Sequence, residues 1–132
     1  YETRAARYWP LDVVEVREAS GRGVSAEEAK DREGARLLER VPDGATVIVC
    51  DELGDRLTSA AFSTLVVASR DRARDVAFVI GGAFGLSSAV RSKASRVIQM
   101  APWTLPHEMA RLVLAEQLYR AGTIVRGEPY HK

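Results

Sequence analysis

Arg111, Glu116 and Arg120 fall within one strongly helical stretch, and Tyr130-His131-Lys132 follow shortly after it. Guanidinium groups grip phosphates and carboxylates through paired hydrogen bonds. A carboxylate, a phenol and an imidazole can each take or hold a proton, and only the imidazole titrates near neutral pH unaided. The same charges can also pair within a helix, and chain ends are commonly inert. A second set is Gly81, Gly82 and Gly85, spaced G-G-x-x-G. Such glycines suit a tight strand-to-helix turn, or a backbone that must approach a flat ligand such as adenine. Neither the dinucleotide fingerprint, the phosphate-binding P-loop nor the hydrolase G-x-S-x-G elbow is present. Cys50 ends an apolar run and reads as a small core residue. Trp103 reads as a core plug, with base stacking as the alternative. His107 opens a helix and is expected to cap or pack.

These groups need elements to hold them. Thr104–Ala121 is the best-specified helix: Pro106 suits its first turn, Thr104 or Leu105 its cap, and Gly122 its stop. Met109, Leu112, Val113, Leu114, Leu118 and Tyr119 cover more than one narrow stripe, which predicts burial on two sides, the second against another subunit.

The remaining chain alternates strand and helix. Leu11–Val16 reads as a strand, and Ser25 with Glu28 gives the capping-box spacing of a charged surface helix running to about Arg40. Ala45–Cys50 is a buried strand followed by a loop over Asp51–Asp55. Thr58 or Ser59 caps the next helix. Strands over Val76–Ile80 and Arg96–Met100 flank a short helix at Ser87–Ala94, and the tail after Gly122 lacks a helical period. The pattern predicts one α/β domain over residues 1–132, a mainly parallel sheet with helices on both faces. Ligands of such sheets bind beyond the carboxyl ends of the strands, where the loops at Cys50–Asp55, Gly81–Leu86 and Met100–Leu105 would meet.

Composition narrows the class. At 46% hydrophobic and 28% charged residues over 132 positions, the chain can build one real core. One Cys and two His do not suit a structural zinc site, so no metal is expected. The single Cys and the lack of a signal or membrane-spanning run point to the cytoplasm, with no membrane partner. Charge is uneven: residues 1–88 carry 12 Lys/Arg against 15 Asp/Glu, and residues 89–132 carry 7 against 3. A basic C-terminal third is compatible with a polyanion such as RNA. The chain opens at Tyr1 as if in mid-helix, which predicts that its natural start is missing.

Three motifs carry a resemblance: FVIGGAFGL at Phe78–Leu86, TLPHEMARLVLAEQLYRA at Thr104–Ala121 and GEPYHK at Gly127–Lys132. With weaker matches at YETRAARYWPLDVVEV and VIVCDELG, the chain resembles, over essentially its whole length, the large-subunit pseudouridine N3-methyltransferase family (RlmH, YbeA type) of the SPOUT superfamily. That resemblance implies a C-terminal trefoil knot, a fold that general threading rules would not suggest. It further implies S-adenosylmethionine as cofactor, held at Cys50, Gly81, Met100, Ala101, Pro102, Trp103, Thr104 and Leu105. It implies a homodimer joined along the long helix, acting on 23S rRNA in the assembled ribosome, and a first strand absent from this chain. Asp55 after Gly54, where the family often has Lys, and Met100-Ala101-Pro102-Trp103, where it often has Ser and flexible residues, depart from the pattern.

The implied reaction needs the imide-like N3 proton to leave, so His131, Tyr130 and Glu116 become candidates for proton handling, His131 first. Arg111 becomes a candidate for holding a uracil oxygen, and Arg111, Arg120 and Lys132 candidates for holding RNA phosphates. Two other classes fit the same scaffold: a non-catalytic RNA- or ribosome-binding module, and a nucleotide-binding protein of ordinary doubly wound topology.

Overall fold

The structure, a computed structural model, describes residues 1–19, 23–82 and 85–131, with His131 described by its backbone alone. Three parallel strands, β1 (Thr46–Arg56), β2 (Val76–Ile80) and β3 (Arg96–Gln99), form a sheet in the order β2-β1-β3. The helices are α1 (Glu2–Ala5), α2 (Ala26–Glu39), α3 (Ser59–Asp71), α4 (Ser88–Lys93) and α5 (His107–Arg126), with a 3-10 turn at Pro129–His131.

Alternation along β1 divides the core in two. Ile48 and Cys50 face a cluster with Phe62 and Val66 of α3, Leu114 and Leu118 of α5, and Trp9. Val47 and Val49 face the opposite cluster with Val79, Leu86 and Val90, backed by Leu37 and Leu38 of α2. Helices therefore cover both faces, which is why Val47–Cys50 of β1 reads as an unbroken apolar run. Ile48 and Val49 are fully buried, a contribution of about 1.5–3 kcal/mol for each such side chain.

Ser25, Thr58 and Ser87 cap α2, α3 and α4, accepting from the backbone N–H of Glu28, Ala61 and Val90 at 3.1, 3.0 and 3.3 Å.

The structure corrects four expectations. Leu11–Val16 pairs with no strand among the described residues; Val13 and Val14 are adjacent rather than alternating, and both are exposed. Strand β1 continues through the expected loop to Arg56, although Asp51–Gly54 form an excursion, because Cys50 and Asp55 both pair with Ile98. Helix α5 does not stop at Gly122. It runs to Arg126 and ends at Gly127, which has φ 68°. There Gly127 N–H donates to Ile124 and Glu128 N–H to Thr123, the paired bonds of a Schellman end. Lastly, Pro106 itself occupies the cap of α5, with no side-chain cap bond, because Thr104 is engaged elsewhere.

Candidate functional site

The loops beyond β1 and β3 are stitched together. Gln99 Nε2 donates to the Glu52 carbonyl at 2.8 Å, and Thr104 Oγ1 donates to Glu52 Oε2 at 2.7 Å. The excursion is also tied to α4, where Arg91 Nη2 meets Asp51 Oδ2 at 2.6 Å. Asp51 Oδ1 accepts from Leu53 N–H at 2.9 Å, an Asx turn that shapes the excursion from within. Gly54 completes it: a methyl group there would lie 2.5 Å from the Ile98 carbonyl carbon, so no larger residue allows the chain to return beside β3.

At the end of β3, between the start of α3 and α5, lies a cavity of about 150 Å³. Ile98, Phe62, Leu114 and Met100 give it apolar walls, while Gln99, Ser59 and Gln117 give it polar ones. Small-molecule sites run to about 300–1,000 Å³, so this cavity can take one moiety of a larger ligand, with the rest along the loop edge. Among the residues expected to hold a cofactor, Met100 lines the cavity. Cys50 is buried behind it in the core, and burial pushes its thiol up to about 12. Met100, Ala101 and Leu105 are half-buried; Pro102 and Thr104 are exposed. Trp103 is 78% exposed, which overturns its reading as a core plug. With Leu53, 83% exposed, it presents apolar surface on the strand-end loops.

Packing alone asks for glycine at position 81. The space a side chain would need there is taken by Leu86, whose Cγ lies 2.8 Å from a built Cβ, and not by an open approach. Gly82 and Gly85 bridge to each other, Gly85 with φ 83°, which accounts for its residue type.

Glu116 organises a second cluster. Its Oε1 accepts from Arg120 Nε at 2.9 Å and from the Tyr130 hydroxyl at 3.2 Å, and its Oε2 accepts from Gln117 Nε2 at 2.9 Å. Gln117 Oε1 in turn accepts from Ser59 Oγ at 2.8 Å. A continuous polar chain, Tyr130–Glu116–Gln117–Ser59, thus runs from the tail to the wall of the cavity. Arg120 stands with its guanidinium 5.0 Å from the Tyr130 ring centre, and the Glu116 carboxylate raises its pKa. The side chain of His131 and the whole of Lys132 lie outside the described residues.

Arg111 is not in this cluster. It pairs with Glu2 at 2.6 Å and with Glu15, and the two carboxylates raise its pKa, that of Glu2 foremost. It borders a larger cavity, about 320 Å³, with Glu2 and Glu108, on another part of α5. No residue of the three strand-end loops lines that cavity, so size alone does not make it the chemical site. His107 is exposed at the first position of α5.

Sequence reasoning missed Glu52, Gln117 and the Asp51–Arg91 pair. Their contacts span from 40 to 58 positions along the chain, and nothing local announces them. Among the described residues no helix is long and apolar enough to cross a membrane, and no three His, Cys, Asp or Glu gather as a metal site.

A family profile described as "Predicted SPOUT methyltransferase" matches residues 1–131. A protein of Gemmatimonas aurantiaca named ribosomal RNA large subunit methyltransferase H is 59% identical over 132 residues, covering all of this chain and 86% of that protein. Proteins of the same name from Anaeromyxobacter dehalogenans and Geotalea uraniireducens are 48% and 42% identical. Those alignments cover 100% and 99% of this chain and 86% and 85% of theirs.

Proposed function

The chain belongs to the SPOUT methyltransferase family, in the branch named ribosomal RNA large subunit methyltransferase H, and from that membership we propose that it methylates large-subunit rRNA. The finer reading is transfer from S-adenosylmethionine to N3 of a pseudouridine in the assembled ribosome, by a cytoplasmic homodimer whose C-terminal part is knotted. The observation that carries it is the double tie of Glu52 to Gln99 and Thr104, which joins two strand-end loops at Gln99, itself a wall of a cavity of mixed polarity.

The site's residues suit such a cofactor. Ile98, Phe62, Leu114 and Met100 offer an apolar bed for one flat or aliphatic moiety. Gln99, Gln117 and Ser59 offer hydrogen-bonding groups for a polar one. When bound, the sulfonium supplies an electrophilic methyl group. Holding cofactor and base in one pocket contributes much of the acceleration through orientation.

The acceptor side falls to the tail. Tyr130 and Glu116 are poised to orient the uracil ring and to take up or relay the N3 proton, together with His131. Arg120 and Lys132 hold phosphate in this reading. Arg111 reaches RNA by exchanging its exposed partner, Glu15, for a phosphate oxygen. The dimer reading rests on Met109 and Leu112, 48% and 49% exposed on α5.

The test is transfer of labelled methyl from S-adenosylmethionine to ribosomes whose 23S rRNA lacks the modification, with the labelled nucleoside identified by mass spectrometry. Label in N3-methylpseudouridine is expected. Tight ribosome binding with no transfer would instead establish a non-catalytic module.

A further inference from the structure

Helix α2 buries Ala29, Glu33 and Gly34. Glu33 is thus a carboxylate in the middle of a stripe that continues in Leu37 and Leu38, on the side packed toward the sheet. It is only 7% exposed. A buried carboxylate is costly unless hydrogen bonds hold it, and an apolar residue there would pack at no such cost. Its surroundings show what it touches. Oε1 accepts from the backbone N–H of Ala19 at 3.1 Å. Oε2 lies 3.1 Å from the point where a Cβ on Gly82 would stand. One residue on, a Cβ at Gly34 would meet Ser87 Oγ at 2.2 Å, so the helix is seated hard against the start of α4. Helix α2 therefore sits in direct contact with the start of α4, which places the carboxylate beside the glycines of the turn that joins β2 to α4.

We infer that Glu33 is a positioning residue for the cofactor site: its carboxylate braces the glycine turn at Gly82 from behind while anchoring Ala19. The role of the turn in cofactor binding rests on the proposed function; the brace itself does not. A side chain on Gly82 would crowd the carboxylate, its Cβ standing 3.1 Å from Glu33 Oε2. The φ of Gly82 is not in the left-handed region, so the backbone alone does not demand glycine. The Gly85 N–H donates to the Gly82 carbonyl at 3.1 Å, which makes the Gly85 amide a reporter of the turn.

The test has two arms. In the cofactor-free protein, amide exchange at Gly85 is followed by NMR in Glu33→Ala and in Ala29→Gly, which loosens the same buried helix face one turn earlier. The brace predicts exchange at Gly85 at least about tenfold faster in Glu33→Ala than in Ala29→Gly, each corrected for its own global stability. Equal exchange in the two variants overturns it. In the second arm, S-adenosylhomocysteine affinity is measured calorimetrically for Glu33→Ala, Gly82→Ala and the double variant. Each single change should weaken binding about tenfold, and the double variant should be no weaker than the worse single one, because the added methyl then meets no carboxylate. Losses that simply multiply, or full affinity in Glu33→Ala, overturn the positioning role. Should Glu33→Ala not fold, Glu33→Asp poses the same question, since the shorter side chain draws the carboxylate back from Gly82. Failure of the unaltered chain to bind S-adenosylhomocysteine counts against the proposed function, while the exchange arm still decides the brace.

Discussion

Gly122 faces the root of the Tyr8 side chain: a methyl group on it would stand 2.3 Å from Tyr8 Cγ and 2.6 Å from Cβ. Those atoms cannot swing aside as a side-chain tip can. Tyr8 is also held at its far end, where its hydroxyl donates to Glu128 Oε2 at 2.5 Å. Within a helix, Gly→Ala alone gains about 1 kcal/mol of propensity. Overpacking of a tight contact costs about 1–3 kcal/mol, more where backbone must shift. The clash should win. Gly122→Ala is expected to lower the melting temperature by several degrees, and a rise would show that Tyr8 is not seated on Gly122.

Cys50 sits at the end of the apolar run of β1, and burial raises its thiol to about 12. A thiol so shifted offers very little thiolate at pH 8. Iodoacetamide should therefore label the native protein roughly a thousandfold more slowly than free cysteine, and at the ordinary rate after unfolding. A contact of Cys50 with cofactor would then use its backbone. Rapid native labelling would show an accessible, ionisable thiol and would move Cys50 into the chemistry itself.

The sequence announces what is local and periodic. Ser25, Thr58 and Ser87 have cap chemistry and are caps, while Val76–Ile80 has a buried strand's composition and is one. The meeting of loops at the strand ends follows from α/β topology, and Glu52 with Gln99 and Thr104 bears it out for two of them. Misses come where a distant partner decides. Gly122 looks like a stop until Tyr8 arrives to need its space. Trp103 looks like core because tryptophan usually is, yet it lies on a surface loop. Leu11–Val16 has strand composition but no ladder partner among the described residues, and composition alone supplies none. Glu33 is indistinguishable from its charged neighbours in α2 until the fold turns it inward.

On helix pattern alone Leu112 and Leu118 are equal candidates for a subunit interface; the fold separates them. Leu118 is 5% exposed within its own core and accepts a bond from Trp9 Nε1 at its carbonyl, so altering it would unfold the subunit. Leu112 is 49% exposed beside Met109. Leu112→Glu should leave the circular dichroism spectrum intact and shift light-scattering mass from twice 14.5 kDa toward the single-chain value. An unaltered monomer at micromolar concentration would remove the dimer from the proposed function.

The Tyr130 hydroxyl makes a pH-dependent clasp between tail and helix. It lies 3.4 Å from the Tyr1 hydroxyl and 3.2 Å from Glu116 Oε1, with its ring edge-on to Tyr119 at 4.6 Å between centroids. The Tyr1 contact first, then burial, then the Glu116 contact raise its ionisation from 10 to about 12. A group whose proton is held more tightly in the folded state stabilises below its unfolded value and loses that contribution as pH rises through the folded one. The clasp should therefore be complete below pH 10 and vanish between 10 and about 12. Tyr8, raised by Glu128, acts in the same direction but is common to wild type and variant. Urea midpoints for the unaltered chain and Tyr130→Phe should differ at pH 9 and converge across that window, and phenolate absorbance should lose its latest-titrating component in the variant. If the two midpoints stay a fixed distance apart at every pH, the hydroxyl is not clasped. Transfer should fall in Tyr130→Phe already at neutral pH, where the clasp is intact in the unaltered chain, because the phenol that orients the acceptor ring is gone. Loss of transfer with cofactor affinity unchanged would place Tyr130 on the acceptor side, whereas a loss of both would mean that the tail holds the cavity through Glu116 and Gln117.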